Sequence, residues 1–269
     1  MEHTAGVRAI LRVAAYGVAA FVAIPVIVVI GSSLTKSGYV TFPPLGLSLK
    51  WYADALGDAG IRNALRVSLV IAAVASAIST TLGLAASFAL ERMAFRGKSL
   101  MVAFLIAPLA VPAIVLALGM VFFMTTIGLI RTPQGLLLGH LVITLPYAVR
   151  ALSTSLVGID RSLEQSASVL GASPIVVLLK ITLPLIRSGI VASLMFSFLA
   201  SFNNVTVSLF LVGAKTQTLP IAIFRMSEFS LTPSLSAIAS LVMAMTAGLM
   251  LVLEKRFGIY SLLERGRTL

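Results

Sequence analysis

The stretch "EQSASVLGASPIVVLLKITLPLIRSG", Glu164 to Gly189, lies between two uncharged runs, Thr132–Val149 and Ser188–Ala214. It brings charge, small polar residues, one central glycine and two prolines into a chain that is otherwise strongly apolar. Asp160 closes the helical pattern that precedes it, and Ser162 with Gln165 has the spacing of a capping box, in which two side chains satisfy each other's exposed backbone donors. Leu163, Ala167 and Leu170 follow at i, i+4 and i+7, one narrow apolar face. Gly171 stands where a left-handed stop is cheap. Ser173-Pro174 opens a second helix, serine as N-cap and proline in the first turn, and Pro184 interrupts it. The segment reads as helix, tight turn, helix. Its first helix is shorter than the roughly 12–15 residues needed for stability in water, so something must cover its apolar face. Either the chain's own helix ends do so, or a groove on another protein does.

Outward from this loop the chain is 59% hydrophobic and 11% charged, where a soluble chain carries about 25% charged residues. Six uncharged runs of 18 or more residues occur: Val13–Thr35, Val67–Leu90, Ser99–Ile130, Thr132–Val149, Ser188–Ala214 and Phe229–Leu253. About 20 apolar residues cross a bilayer core as a helix. A barrel would alternate polarity over roughly ten-residue segments, and these runs do not. The fold expected is an all-α integral membrane protein, one transmembrane domain over 1–269, with spans near 13–33, 67–90, 100–126, 134–152, 189–212 and 234–253 and a polar loop at 160–184.

The net charge of +11 is distributed as a membrane signature, not a nucleic-acid one. With the N-terminus inside, Arg8, Arg12, Arg92, Arg96, Lys98, Arg150, Arg161, Lys180, Arg187, Lys255, Arg256, Arg265 and Arg267 are cytoplasmic, 13 of the 20 basic residues. That excess follows the positive-inside rule and places both termini in the cytoplasm. The first apolar run exceeds the 7–15 residues of a signal peptide core and reads as a retained span. With no cysteine, disulfide and thiol chemistry are excluded.

The loop after the first span holds Pro43-Pro44, an extended segment, and "SLKWYADALGD", a short interfacial helix with Trp51 and Tyr52 at headgroup level. The second span carries Ala72, Ser76, Thr80, Gly83 and Ser87 on one stripe, the small residues that let helices approach closely in lipid. Pro108 and Pro112 bend the third span. In the fifth, Ser197, Ser201, Asn204 and Ser208 form a polar stripe with Asn203 beside it; such groups face a bundle interior or wet cavity, and either line a solute path or bond between helices. His140 reads as a packed, hydrogen-bonded residue. Two histidines and no cysteine leave no metal-ligand cluster. An outer loop with "KTQTLPIAIFRMSEFSLTP" separates the last two spans.

The 160–184 loop resembles the cytoplasmic EAA loop of permease subunits of binding-protein-dependent ABC importers, which reads Glu-Ala-Ala, three residues, Gly, nine residues, Ile-x-Leu-Pro. Gly171 and Ile181-Thr182-Leu183-Pro184 match in type and spacing. Gln165-Ser166-Ala167 occupy the Glu-Ala-Ala positions, and Glu164 lies one residue early, so the glutamate role falls either to Gln165, without the charge, or to Glu164. "FPPLGLSLKWYADAL" resembles the outer loop of spermidine/putrescine-type permeases, and "SFNNVTVSLFLVGAKTQTLPIAIF" their fifth-helix region. The resemblance implies a bacterial inner-membrane permease that pairs with a second permease, two ATP-binding subunits and an extracytoplasmic solute-binding protein. It implies coupling to the ATPase through Leu163, Glu164, Gln165, Ala167, Leu170, Gly171, Ile181, Leu183 and Pro184. ATP and Mg belong to the partner subunits, with no cofactor and no catalytic residue here. "RGKS" and "GAKT" are not Walker loops: Arg92 and Leu209 stand where the upstream glycine is needed.

The solute implied is small and polar, a polyamine or an opine or amino-acid-like compound. No carboxylate lies in the six runs to hold a polyamine cation, so the second permease or the binding protein would supply that selectivity. A secondary ion-coupled transporter is the alternative; it favours inverted repeats and intramembrane titratable groups, and neither is apparent.

Overall fold

The computed structural model describes residues 3–229 and 231–257; Arg265 and Arg267 lie outside them. The described residues are overwhelmingly helical, with a single isolated bridge between Thr35 and Leu47. The helices are α1 (His3–Ser33), α2 (Lys50–Gly57), α3 (Ala59–Arg92), α4 (Lys98–Ala110), α5 (Ala113–Thr126), α6 (Pro133–Val157), α7 (Arg161–Val169) and α8 (Pro174–Val177). A π-helical turn at Leu178–Thr182 leads into α9 (Leu183–Leu185), α10 (Arg187–Phe202), α11 (Thr206–Leu211), α12 (Leu219–Phe229) and α13 (Pro233–Phe257). Four stretches are long and apolar enough to cross a membrane as single helices: Gly6–Ser33, Ala59–Arg92, Pro133–Val157 and Pro233–Val252. Two bent pairs bring the number to six if each pair is one span.

The chain divides into two compact units, one comprising the N-terminal part to Arg62 with Ile223–Thr246, the other Asn63–Ala222 with the residues from Ala247. In the first unit, Tyr52 hydrogen bonds Ser33 at 2.6 Å and Ser240 at 2.8 Å. The Trp51 indole N–H donates to the Thr35 carbonyl at 3.0 Å. Both aromatic polar groups pin α2 to the end of α1 and to α13. Buried Ser33 and Thr35 supply partners that the sequence pattern did not reveal.

In the second unit α10 packs along α6, and α11 packs against α5. The small-residue stripe of α3 is buried. A Cβ on Gly83 would come within 2.9 Å of Ala148 Cβ, so only glycine permits the approach of α3 to α6 at that level. Ser87 donates to the Val149 carbonyl, Ser79 bonds Thr144, and Thr80 bonds Ser193. These neutral hydrogen bonds join helices where lipid offers no hydrophobic drive.

Three expectations are sharpened or changed. The third span bends at a proline as expected, and so far that it becomes two helices: α4 and α5 meet at 106°. Pro112 is responsible, because a proline forces the residue before it out of the helical region, and Val111 has φ −82°, ψ 135°. The fifth span is broken at residues 203–205, and the helix feeding it, interrupted near Pro184 as expected, meets it at 71°. The expected loop around "TLPIAIF" contains α12, whose Leu219, Ile221 and Ala222 are buried; an apolar face with packing partners makes a helix there, with Pro220 in the first turn, where it is tolerated.

Candidate functional site

The polar loop begins at Asp160, three residues after the end of α6 at Val157. Asp160, extended at φ −67° and ψ 118°, is the N-cap of α7, and its carboxylate accepts from the Ser162 N–H at 2.9 Å. The helix therefore starts two residues earlier than a Ser162–Gln165 capping box would place it. Asp160 already satisfies the second free N–H of the helix, and Gln165 is left exposed. The backbone hydrogen bond from Ser162, with its side chain, holds the Asp160 carboxyl below the usual carboxylate range, so a negative charge faces the positive end of the helix.

The helix stops as a Schellman motif. Gly171 has φ 86°; its N–H donates to the Ser168 carbonyl, and the Ala172 N–H donates to the Ala167 carbonyl, both at 3.0 Å. No atom lies within 4 Å of a Cβ built on Gly171, so backbone conformation alone requires the glycine. Because α7 ends at Val169, Leu170 falls beyond the last turn and leaves the stripe expected with Leu163 and Ala167. Val169 and Leu170 stand together, 85% and 87% exposed, while Leu163 is half exposed. Val169 is an apolar contributor that a strict i, i+4, i+7 reading passes over.

Among the described residues the only salt bridge is Arg92–Glu164. Glu164 Oε2 accepts from Arg92 Nε at 2.7 Å; Oε1 accepts from the second Arg92 nitrogen at 3.3 Å and from the Thr182 hydroxyl at 2.8 Å. That Arg92 nitrogen also donates to the Leu156 carbonyl at 3.1 Å, and Arg161 donates to the Glu91 carbonyl. One carboxylate thus gathers the ends of α3 and α6, α7 and the π turn. Nothing in the sequence pairs Arg92 with Glu164, since 72 residues separate them.

Ile181, Leu183 and Pro184 do not join the exposed side of α7; they shape the helix that follows. Pro184 has no N–H for a carbonyl in the preceding turn, and that turn widens into the π-helical Leu178–Thr182. Leu183 packs on the buried cluster of Leu152, Leu156 and Ile186. The helix yields at Ile186, φ −93° and ψ 12°.

The polar stripe of the fifth span is divided by the break. Ser197, Ser201 and Ser208 are at most 2% exposed. Ser197 donates to the Thr144 carbonyl at 3.3 Å. The ring nitrogens of His140 lie 2.7 Å from Ser201 Oγ and 3.1 Å from Ser208 Oγ, joining α10 to α11 across the gap. Asn204 caps α11, its side-chain oxygen accepting from the Val207 and Ser208 N–H groups. Asn203, between the two helices, is exposed. A separate cleft of about 540 Å³, lined by residues such as Leu82, Val115, Met120, Phe123 and Leu141, is too apolar to hold a polar solute. Among the described residues no cluster of metal-ligating side chains occurs.

Comparison with known proteins fits this geometry. The chain is 30% identical over 233 residues to the spermidine/putrescine transport system permease protein PotC of Haemophilus influenzae, covering 87% of this chain and 90% of the relative. It is 30% identical over 230 residues to the putrescine transport system permease protein PotI of Escherichia coli, covering 83% and 82%. In fold it is similar to a chain of a bacterial ABC transporter involved in the import of the acidic polysaccharide alginate. The TM-score is 0.65 at 18% identity, over 93% of this chain and 96% of that one. The binding-protein-dependent transport system inner membrane component family matches residues 79–259, a region holding both the braced loop and the broken helix. With that match over more than half its length, the chain belongs to this family as a transport permease of an ABC importer, not an enzyme.

Proposed function

We propose that the chain spans the bacterial inner membrane six times, both termini cytoplasmic, and forms half of a translocation path with a second permease. Two ATP-binding subunits drive it, and an extracytoplasmic binding protein delivers a small polar solute. A polyamine is the favoured class, because the relatives named above carry spermidine and putrescine. In this reading α7 is the coupling helix. The observation that carries it is the pair Val169 and Leu170, large apolar side chains 85% and 87% exposed at the end of a helix braced on its other side. Exposed apolar groups beside polar ones, here Gln165 and Ser166, mark a docking face. Gln165 takes the outward position, while Gly171, Ile181, Leu183 and Pro184 fix the turn and bend behind it.

For the solute path the break at residues 203–205 is the favoured point. Interrupted helices place free backbone groups and polar side chains at bilayer depth, where transporters bind solutes. Asn203 offers an exposed amide there; Asn204 caps the helix after the break, and Ser197, Ser201 and Ser208 fix the helices on either side of it. The test is a cross-link. In the cysteine-free chain, Leu170→Cys is expected to cross-link to the co-expressed ATP-binding subunit, and Leu170→Asp to abolish both its co-purification and uptake. Full uptake by Leu170→Asp would refute the coupling role.

A further inference from the structure

We propose that Glu164 is a positioning residue internal to the permease, not a contact to another subunit. Held by Arg92 and Thr182, it locks α7 to the end of α3 and to the π turn so that the three move as one body. This rests on α7 being the coupling helix. Both oxygens of Glu164 are engaged, with three donor contacts at 2.7, 2.8 and 3.3 Å. Its side chain is 13% exposed, that of Arg92 10%, and Thr182 is fully buried. Such a carboxylate has little left to offer a partner, whereas its neighbour Gln165 is open.

The brace matters because, apart from the Arg161 contact to the Glu91 carbonyl, it is the side-chain tie between α7 and the helices behind it among the described residues. No residue of α7 is buried, and its covalent link to the next helix is the turn at Gly171–Ser173. A push delivered to Val169 and Leu170 would rotate a free helix about that turn. With the carboxylate in place, the push passes through a two-pronged, charge-assisted contact to the end of α3. Through Thr182 it reaches the last turn before the 71° bend into α10. The Arg92 contact to Leu156 adds the end of α6. Three long helices are thus loaded from one short one.

The test uses the full-length chain, in which Ser166→Cys and Met93→Cys carry spin labels across the brace. Arg92→Glu and Glu164→Arg are each expected to broaden the label–label distance distribution about twofold, and the double reversal to recover most of the sharpness, as coupled residues do. Recovery is incomplete because a glutamate at 92 faces the Leu156 carbonyl. In the assembled transporter each single reversal is expected to lower ATP hydrolysis about tenfold with the ATP-binding subunit still bound, and the double to regain at least about threefold. Narrow distributions in the single variants, or a double no better than the singles, overturn the proposal. So does loss of the ATP-binding subunit from Glu164→Arg with the distribution unchanged, which would make Glu164 a direct contact. If the unmodified chain fails to bind that subunit, the coupling reading fails, and the distance measurement alone decides the brace.

Discussion

The two bent helix pairs meet proline in opposite ways. At Pro112 the preceding residue is forced extended, the helix stops, and α5 leaves at 106° with proline as its N-cap. At Pro184 the backbone stays helical, widens into a π turn, and gives way only at Ile186, by 71°. The surroundings differ accordingly. No residue of α4 is buried, and Val111 is 37% exposed. Around the second bend Thr182, Ile186 and Gly189 are all buried and touch Glu164, Leu152 and Ser155 in turn. A proline disturbs a helix wherever it falls; packing decides whether the disturbance becomes a break or a braced elbow.

The packed elbow should be the harder one to alter. A Cβ on Gly189 would collide with the Ser155 side chain, and the α10–α6 crossing cannot move aside without disrupting Leu152, Leu156 and Ile186. Gly189→Leu is therefore expected to destabilise by about 3 kcal/mol or more, the upper range for overpacking, read as lost monodisperse protein in detergent. Ordinary yield and melting temperature for that variant would dissolve the distinction between the two bends.

At the open elbow the same logic expects conformational change with little loss of stability. Pro112→Ala frees Val111 to turn helical. Helices of 13 and 14 residues are each about 20 Å long at 1.5 Å per residue. Labels at Lys98→Cys and Thr126→Cys should then move from about 25 Å apart toward about 40 Å if the pair straightens. An unchanged distance would show that neighbouring chain, not proline, sets the 106° bend.

The smallest effect belongs to the turn that joins α7 to the elbow. Gly171→Ala meets no atom, so only its positive φ matters, about 1–2 kcal/mol for a residue with Cβ. Gly171→Asn should lose less, since asparagine tolerates that region. Thermal unfolding of the two variants separates backbone strain from contact; equal losses would point to a contact at this position.

The helical character was legible in apolar runs alone, because in lipid an apolar run long enough to cross has only one well-satisfied backbone form. The turn at Gly171 was legible too, since a left-handed stop and a following Ser-Pro are local signals. The candidate site was legible only in part. Glu164, Gly171 and the Ile181–Pro184 segment were singled out, but the carboxylate's partners, Arg92 and Thr182, lie 72 and 18 residues away and carry no local mark. The polar stripe of the fifth span was read as continuous, yet the helix ends at Phe202. An Asn204 side chain that caps a new helix looks, in sequence, like one more polar residue at helical spacing.

What the sequence determined by itself is what short-range physics enforces: apolar lengths that require helices, a glycine that permits a left-handed turn, prolines that disturb regular backbone. What only the tertiary structure decided is how each disturbance resolves and which charges meet. A helix chooses between breaking and bending by the contacts around it. A half-buried carboxylate finds its cation through the packing of distant segments, and neither is written in the local pattern of residues.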